Sequence, residues 1–273
     1  MKSIIVATDF SSGANNATIY ACNFASDTGT KIVLFHLYHM SIHALNSRAP
    51  ASAIDDLMKS SRDKLLKEAD KLSKHFKIEV NTIWRMGDFK EELQNAITSA
   101  QADIVVMGMA SKSLEQDLLG NTTTSAVHSL KFPVLAVPAN AIYQKVKTIL
   151  FACEITRGIH KTVLDKVKDV AAKVGATIEV FHVSKKITQL ANGQQGISLS
   201  KTFEEGLQGT NYYYKNVESD KIIDAIQDEI KQISANLVIM IPYRYGFWES
   251  MVHRSKTMIM ASRSEIPLLS LPL

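Results

Sequence analysis

Asp9 follows the apolar run Ile4-Ile5-Val6-Ala7, Gly108 follows Ile104-Val105-Val106-Met107, and Gly120 leads into Asn121-Thr122-Thr123-Thr124. A carboxylate at a strand end can accept hydrogen bonds from a sugar hydroxyl or a base. A glycine at such an end lets a ligand approach the backbone. Hydroxyls and free N–H groups at a helix start can hold a phosphate tail. Neither standard phosphate motif accompanies them: the loop lacks a Gly-Lys-Ser/Thr ending, and the first strand runs into Asp9-Phe10-Ser11-Ser12-Gly13 instead of GxGxxG.

The elements that must position these residues are legible as alternating apolar strands and amphipathic helices, the pattern of an α/β fold with a parallel sheet. Strands are expected over residues 4–8, 31–38, 78–84, 104–107 and 134–137. Ala14, Ala17, Ala21, Phe24 and Ala25 fall on one helical face, opened by Ser11 or Ser12 as N-cap and ended near Gly29. A second helix is expected over residues 53–75. Asp88-Phe89-Lys90-Glu91 has capping-box spacing for a third. A fourth is expected to start within residues 121–124 and to end before Pro133.

The order repeats in the second half of the 273 residues. Ile149-Leu150-Phe151-Ala152 with Glu154 answers the first strand and Asp9 at an offset of 145. Residues 177–183 answer 31–37 at 146, residues 236–240 answer 103–107 at 133, and residues 265–272 answer 131–138 at 134. Four blocks in one order imply a tandem duplication. Two domains, 1–139 and 146–273, are therefore expected, joined by a linker too short to let them drift apart. The apolar segments Phe132-Pro133-Val134-Leu135-Ala136-Val137 and Ile266-Pro267-Leu268-Leu269-Ser270-Leu271 are expected to be edge strands that pair within the chain. In the second copy Ile241 stands for Gly108, Arg244 for Ser111 and Arg254 for Gly120. Its site is read as degenerate.

Composition narrows the function. With 46% hydrophobic and 21% charged residues and a net charge of +4, the chain is globular, without the basic blocks of a nucleic-acid binder. It has no apolar run of the roughly 20 residues needed to span a bilayer, and no signal-peptide pattern. Its two cysteines, Cys22 and Cys153, have no CxxC spacing, so a cytoplasmic protein is expected. His36, His39 and His43 could suggest zinc, but only His36 recurs, as His182, and no metal is expected. Lys64, Lys67, Lys71 and Lys74 read as a solvated helix face. Ser125 and His128 lack a nucleophile elbow and an orienting acid, so no catalytic residues are assigned and any hydrolysis is expected to be slow.

The chain resembles the universal stress protein (UspA) family as a tandem member. The resemblance rests on Val6-Ala7-Thr8-Asp9 with Ser11, Leu34-Phe35-His36-Leu37, Gly87-Asp88, Ala102 through Gly108, Gly120-Asn121-Thr122-Thr123 and Phe132 through Val137. It implies two tandem open parallel five-stranded sheets flanked by helices, Rossmann-like and of the adenine nucleotide alpha hydrolase kind. It also implies binding of ATP, or of AMP or ADP, with Mg accompanying the nucleotide. By resemblance Thr8, Asp9 and the backbone around Leu37 would hold the adenosine end. Gly108, Ser111, Gly120, Asn121, Thr122 and Thr123 would hold the phosphates. ATP-binding members carry a second Gly where this sequence has Ser111, and one more residue before the third glycine. The expected function is a nucleotide-binding regulator of the stress response, able to form a homodimer. The alternative is a scaffold that acts through protein contacts without nucleotide.

Overall fold

The structure is a computed structural model that describes residues 1–39, 51–109, 123, 126, 130–155, 159–184, 202–242, 260 and 264–272. In the first half β1 (Ser3–Ala7), β2 (Lys31–Leu37), β3 (Val80–Arg85), β4 (Ile104–Gly108) and β5 (Val134–Val137) are accompanied by α1 (Ser12–Thr28), α2 (Ala51–Phe76) and α3 (Phe89–Ala100). The second half contributes β6 (Thr148–Ala152), α4 (Lys161–Val174), β7 (Thr177–Ser184), β8 (Tyr212–Glu218), α5 (Ile222–Gln232), β9 (Leu237–Met240) and β10 (Leu268–Ser270).

Local chemistry sets the element ends. Ser11 caps α1 by accepting a hydrogen bond from the Ala14 N–H (3.3 Å), and Asp88 caps α3 through the Glu91 N–H (3.0 Å). α1 stops at Gly29 (φ 65°) and α4 at Gly175 (φ 69°), so the duplication preserved the left-handed glycine stop. β3 starts two residues later than the sequence pattern suggests. Lys77 turns the chain with φ 56°, and the Ile78 carbonyl accepts from Ser73 Oγ (2.7 Å) instead of entering the sheet. The expected fourth helix lies mostly outside the described residues, where only Thr123 and Ala126 are seen, both helical.

The strands form one ten-stranded sheet in the order β3-β2-β1-β4-β5-β10-β9-β6-β7-β8. Every neighbouring pair is parallel except β5 and β10, which run antiparallel with Leu269 opposite Leu135. The two five-stranded sheets implied by the resemblance are thus joined edge to edge, which removes the open edge each would otherwise expose. One face packs under α1, α2 and α4; the other packs under α3 and α5. Burial on both faces explains why the central strands read as continuous apolar runs.

A second device repeats. Asp103 Oδ2 accepts from the backbone N–H groups of Lys2 (2.5 Å) and Ser3 (3.1 Å), tying the entry of β4 to the start of β1. Asn236 Oδ1 does the same for Lys147 (2.9 Å) and Thr148 (3.2 Å). An amide replaces a carboxylate with its acceptor role unchanged.

Candidate functional site

A cleft of about 290 Å³ opens beyond the carboxyl ends of β1, β2 and β4, where an open parallel sheet places its ligands. Thr8, Asp9, Leu37, Gly108 and Thr123 all line it, so five of the nine residues assigned from sequence converge there. Ser111, Gly120, Asn121 and Thr122 lie outside the described residues. Sequence reasoning did not single out the apolar wall of Phe35, Phe89, Met107 and Met109. Its only signal was the alternation within β2 and β4, which also builds the ordinary core.

The turn between β1 and α1 is built by its own side chains. The Phe10 N–H donates to Thr8 Oγ1 (3.0 Å), and the Ser11 N–H donates to Asp9 Oδ1 (2.9 Å). His36 Nδ1 lies 2.7 Å from the Thr8 carbonyl oxygen, which pins the turn to β2. Phe10 takes a left-handed conformation (φ 63°) that non-glycine residues seldom adopt. Its ring packs 4.7 Å from His36, and Lys64 Nζ lies 4.0 Å above that ring. Lys64 therefore has a cation-π contact as well as a solvated face.

Partial burial alone would raise the Asp9 carboxyl pKa. Hydrogen bonds from the Ser11 side chain and backbone, with His36 nearby, outweigh it and hold the carboxyl below the usual range. At neutral pH Asp9 is an exposed anion at the cleft mouth, an acceptor for hydroxyl or amino donors and repellent to phosphate.

Gly108 lines the cleft for a reason different from the one its position suggests. A Cβ there would lie 2.2 Å from the Gly13 carbonyl oxygen and 2.7 Å from the Ala14 nitrogen. The space beside this glycine is filled by the first turn of α1, so close packing of two backbones explains it without a ligand. Thr123 Oγ1 donates to the Gly108 carbonyl (2.7 Å), tying a helical residue to the end of β4.

The second half shows why Ile241 is tolerated at the matching place. Four residues, 8–11, separate β1 from α1, whereas eight, 153–160, separate β6 from α4. Ile155, Ile159 and Ile241 are all buried in the core there. Glu154, which answers Asp9, is only 4% exposed and so does not face an open cleft. His182 repeats the role of His36, with Nδ1 3.0 Å from the Cys153 carbonyl oxygen. The recurring histidine thus serves the turn, and His43 lies outside the described residues. Among the described residues no group of three or more His, Cys, Asp or Glu is placed to hold a metal. Arg244, Arg254, Ser125 and His128 also lie outside the described residues.

The model of the universal stress protein family matches residues 1–138, the half that carries this cleft. The chain belongs to that family. A universal stress protein of Methanocaldococcus jannaschii is 25% identical over 138 residues, which make up 50% of this chain and 81% of the relative. Among solved structures, a universal stress protein from Archaeoglobus fulgidus DSM 4304 superposes with a TM-score of 0.76 at 19% identity, over 99% of this chain and 98% of its own. A functionally unknown protein from Pseudomonas aeruginosa PAO1 gives a TM-score of 0.59 at 13% identity, covering 100% of this chain and 92% of its own. At these identities the two structures establish the universal stress protein fold over both halves. No helix among the described residues is long and apolar enough to cross a membrane.

Proposed function

We propose that this universal stress protein is an adenine-nucleotide-binding regulator of the stress response, with ATP, or AMP or ADP, held in the cleft of the first half. The observation that carries the reading is the convergence of Thr8, Asp9, Leu37, Gly108 and Thr123 on one cleft at the carboxyl ends of β1, β2 and β4. Its volume lies at the lower end of the range for small-molecule sites, roughly 300 to 1,000 Å³, and suits the nucleoside part. The anionic Asp9 belongs beside the ribose or base. The phosphates, with any Mg, would point away from it toward Thr123, the described member of the set that the resemblance assigns to them.

Residues 1–139 and 146–273 are read as two domains, of which only the first keeps the nucleotide site. The buried second-half counterparts Glu154 and Ile241 support that division of labour. Cys22 and Cys153 are both buried free thiols, in keeping with a cytoplasmic location. Regulation would act through occupancy, without turnover.

Calorimetric titration with ATP tests the proposal. Asp9→Ala is expected to weaken binding about tenfold or more, the loss of one or two hydrogen bonds to a charged acceptor. Absence of binding to the wild-type protein at millimolar ATP would favour the scaffold reading. Equal affinity in the variant would remove Asp9 from the site.

A further inference from the structure

The second half places two buried carboxylates and a half-buried lysine where the first half has hydrocarbon. Glu179 on β7 is 0% exposed and Glu229 on α5 is 4% exposed. Lys215 on β8 donates to Glu229 Oε2 (2.5 Å) and lies 3.3 Å from Gln232 Oε1. Among the described residues, neither Glu179 oxygen, nor Oε1 of Glu229, has a hydrogen-bond partner of good geometry.

Register identifies the equivalent positions. Val33 pairs with Asn81 as Glu179 pairs with Tyr213, which sets Lys215 against Ile83. The Ala102 N–H donates to the Ile97 carbonyl as the Ala235 N–H donates to that of Ile230, which sets Glu229 against Ala96. Val33 and Ala96 are buried members of the first-half core, with Ile83 packed against them. The fold therefore accepts an all-apolar solution here, and replacing buried ion clusters by such packing is commonly neutral or stabilising. Three polar residues that meet each other have displaced it.

Charge counting defines what the cluster does. Lys215 neutralises one carboxylate, Glu229, and a second ionised carboxylate beside it would be a buried charge without a counterion. On the side of β6, Glu179 is flanked by Leu150, which cannot titrate. From β8 it faces Tyr213 and Lys215, and from α5 it faces Glu229. Tyr213 is 44% exposed and gives the cluster a route to solvent.

We propose that Glu179, Glu229 and Lys215 form a proton-binding site under α5 that holds one proton in the folded protein and loosens α5 from the sheet when that proton leaves. The site is independent of the nucleotide reading, since β5, β10, β9 and β6 lie in the sheet between β7 and the strands that carry the first-half cleft. Desolvation raises the Glu179 carboxyl above its ordinary value, reinforced by Glu229 and opposed by Tyr213 and Lys215. A raised folded value means that stability is fully present below the unfolded value of about 4.3 and is lost as pH rises through the folded value. Above the unfolded value the native state keeps a proton that the unfolded chain gives up.

The test follows the Glu179 side-chain carboxyl by ¹³C NMR in the full chain, with amide exchange in α5 and urea unfolding from mildly acidic to mildly alkaline pH. Glu179 is expected to titrate above the ordinary carboxylate range. Protection in α5 is expected to fall about tenfold for each unit by which the folded value exceeds the unfolded one. Glu179→Gln is expected to flatten that dependence. The triple change Glu179→Val, Lys215→Ile, Glu229→Ala, which copies the first half, is expected to abolish it. Titration of Glu179 in the ordinary range overturns the proposal, and this measurement decides even if a variant fails to fold. Parallel pH profiles for wild type and Glu179→Gln overturn it equally.

Discussion

Gly108→Ala is expected to destabilise the protein by about 3 kcal/mol, at the upper end of the usual cost of overpacking. The added methyl would sit 2.2 Å from the Gly13 carbonyl oxygen and 2.4 Å from its carbonyl carbon. Both are backbone atoms at the start of α1, so no side-chain rotation relieves the clash. α1 must retreat, and its first turn carries the Ser11 cap and one wall of the cleft. Gly29→Ala is the control. Its φ is 65°, but nothing lies within 4 Å of the new methyl, so only the left-handed backbone penalty applies, roughly 1 to 2 kcal/mol. Urea unfolding without nucleotide measures both. A midpoint for Gly108→Ala no lower than that for Gly29→Ala would show that packing does not demand the glycine.

Leu269→Ala is expected to cost about 2 to 5 kcal/mol, as for other large-to-small changes in a core. Leu269 is 1% exposed at the middle of a three-residue strand, with Leu135 opposite it on one side and Ile239 on the other. That strand is where the ladders of the two halves meet. The variant is expected to split thermal unfolding into two calorimetric transitions, because each half keeps its own parallel strands while the join weakens. A single transition at the wild-type temperature would show that the halves are held elsewhere.

Much of the fold was legible in the chain because the repeat reports it twice. The caps at Ser11, Asp88 and Gly29 and the apolar blocks of β1, β2, β4 and β5 follow from local chemistry, and the matching segments in the second half confirmed their order. The fusion into one sheet was legible only as two apolar segments with the same pattern, since pairing depends on where distant edges meet. At the site, strand ends located Asp9 and Gly108, and the family resemblance added Thr8 and Leu37, yet the purpose of Gly108 was hidden. Its neighbour in space is Gly13, 95 residues away in sequence, and no local pattern encodes that approach. Glu179, Lys215 and Glu229 were hidden for the same reason: each looks like an ordinary surface charge until β8 and α5 bring them together.

The single antiparallel register between β5 and β10 has a directional consequence. Strands within each half point the same way, so the carboxyl ends of the two halves lie on opposite rims of the shared sheet. A molecule seated at the first rim cannot touch the second half's counterpart turn at Glu154. Among the described residues the two halves share the three-residue ladder of Leu268, Leu269 and Ser270 and an apolar seam beside it, where Tyr20 and Phe24 of α1 and Val170 of α4 line one cavity with Leu135 and Leu269. The protein is built as one continuous sheet whose two halves turn their carboxyl-end rims in opposite directions.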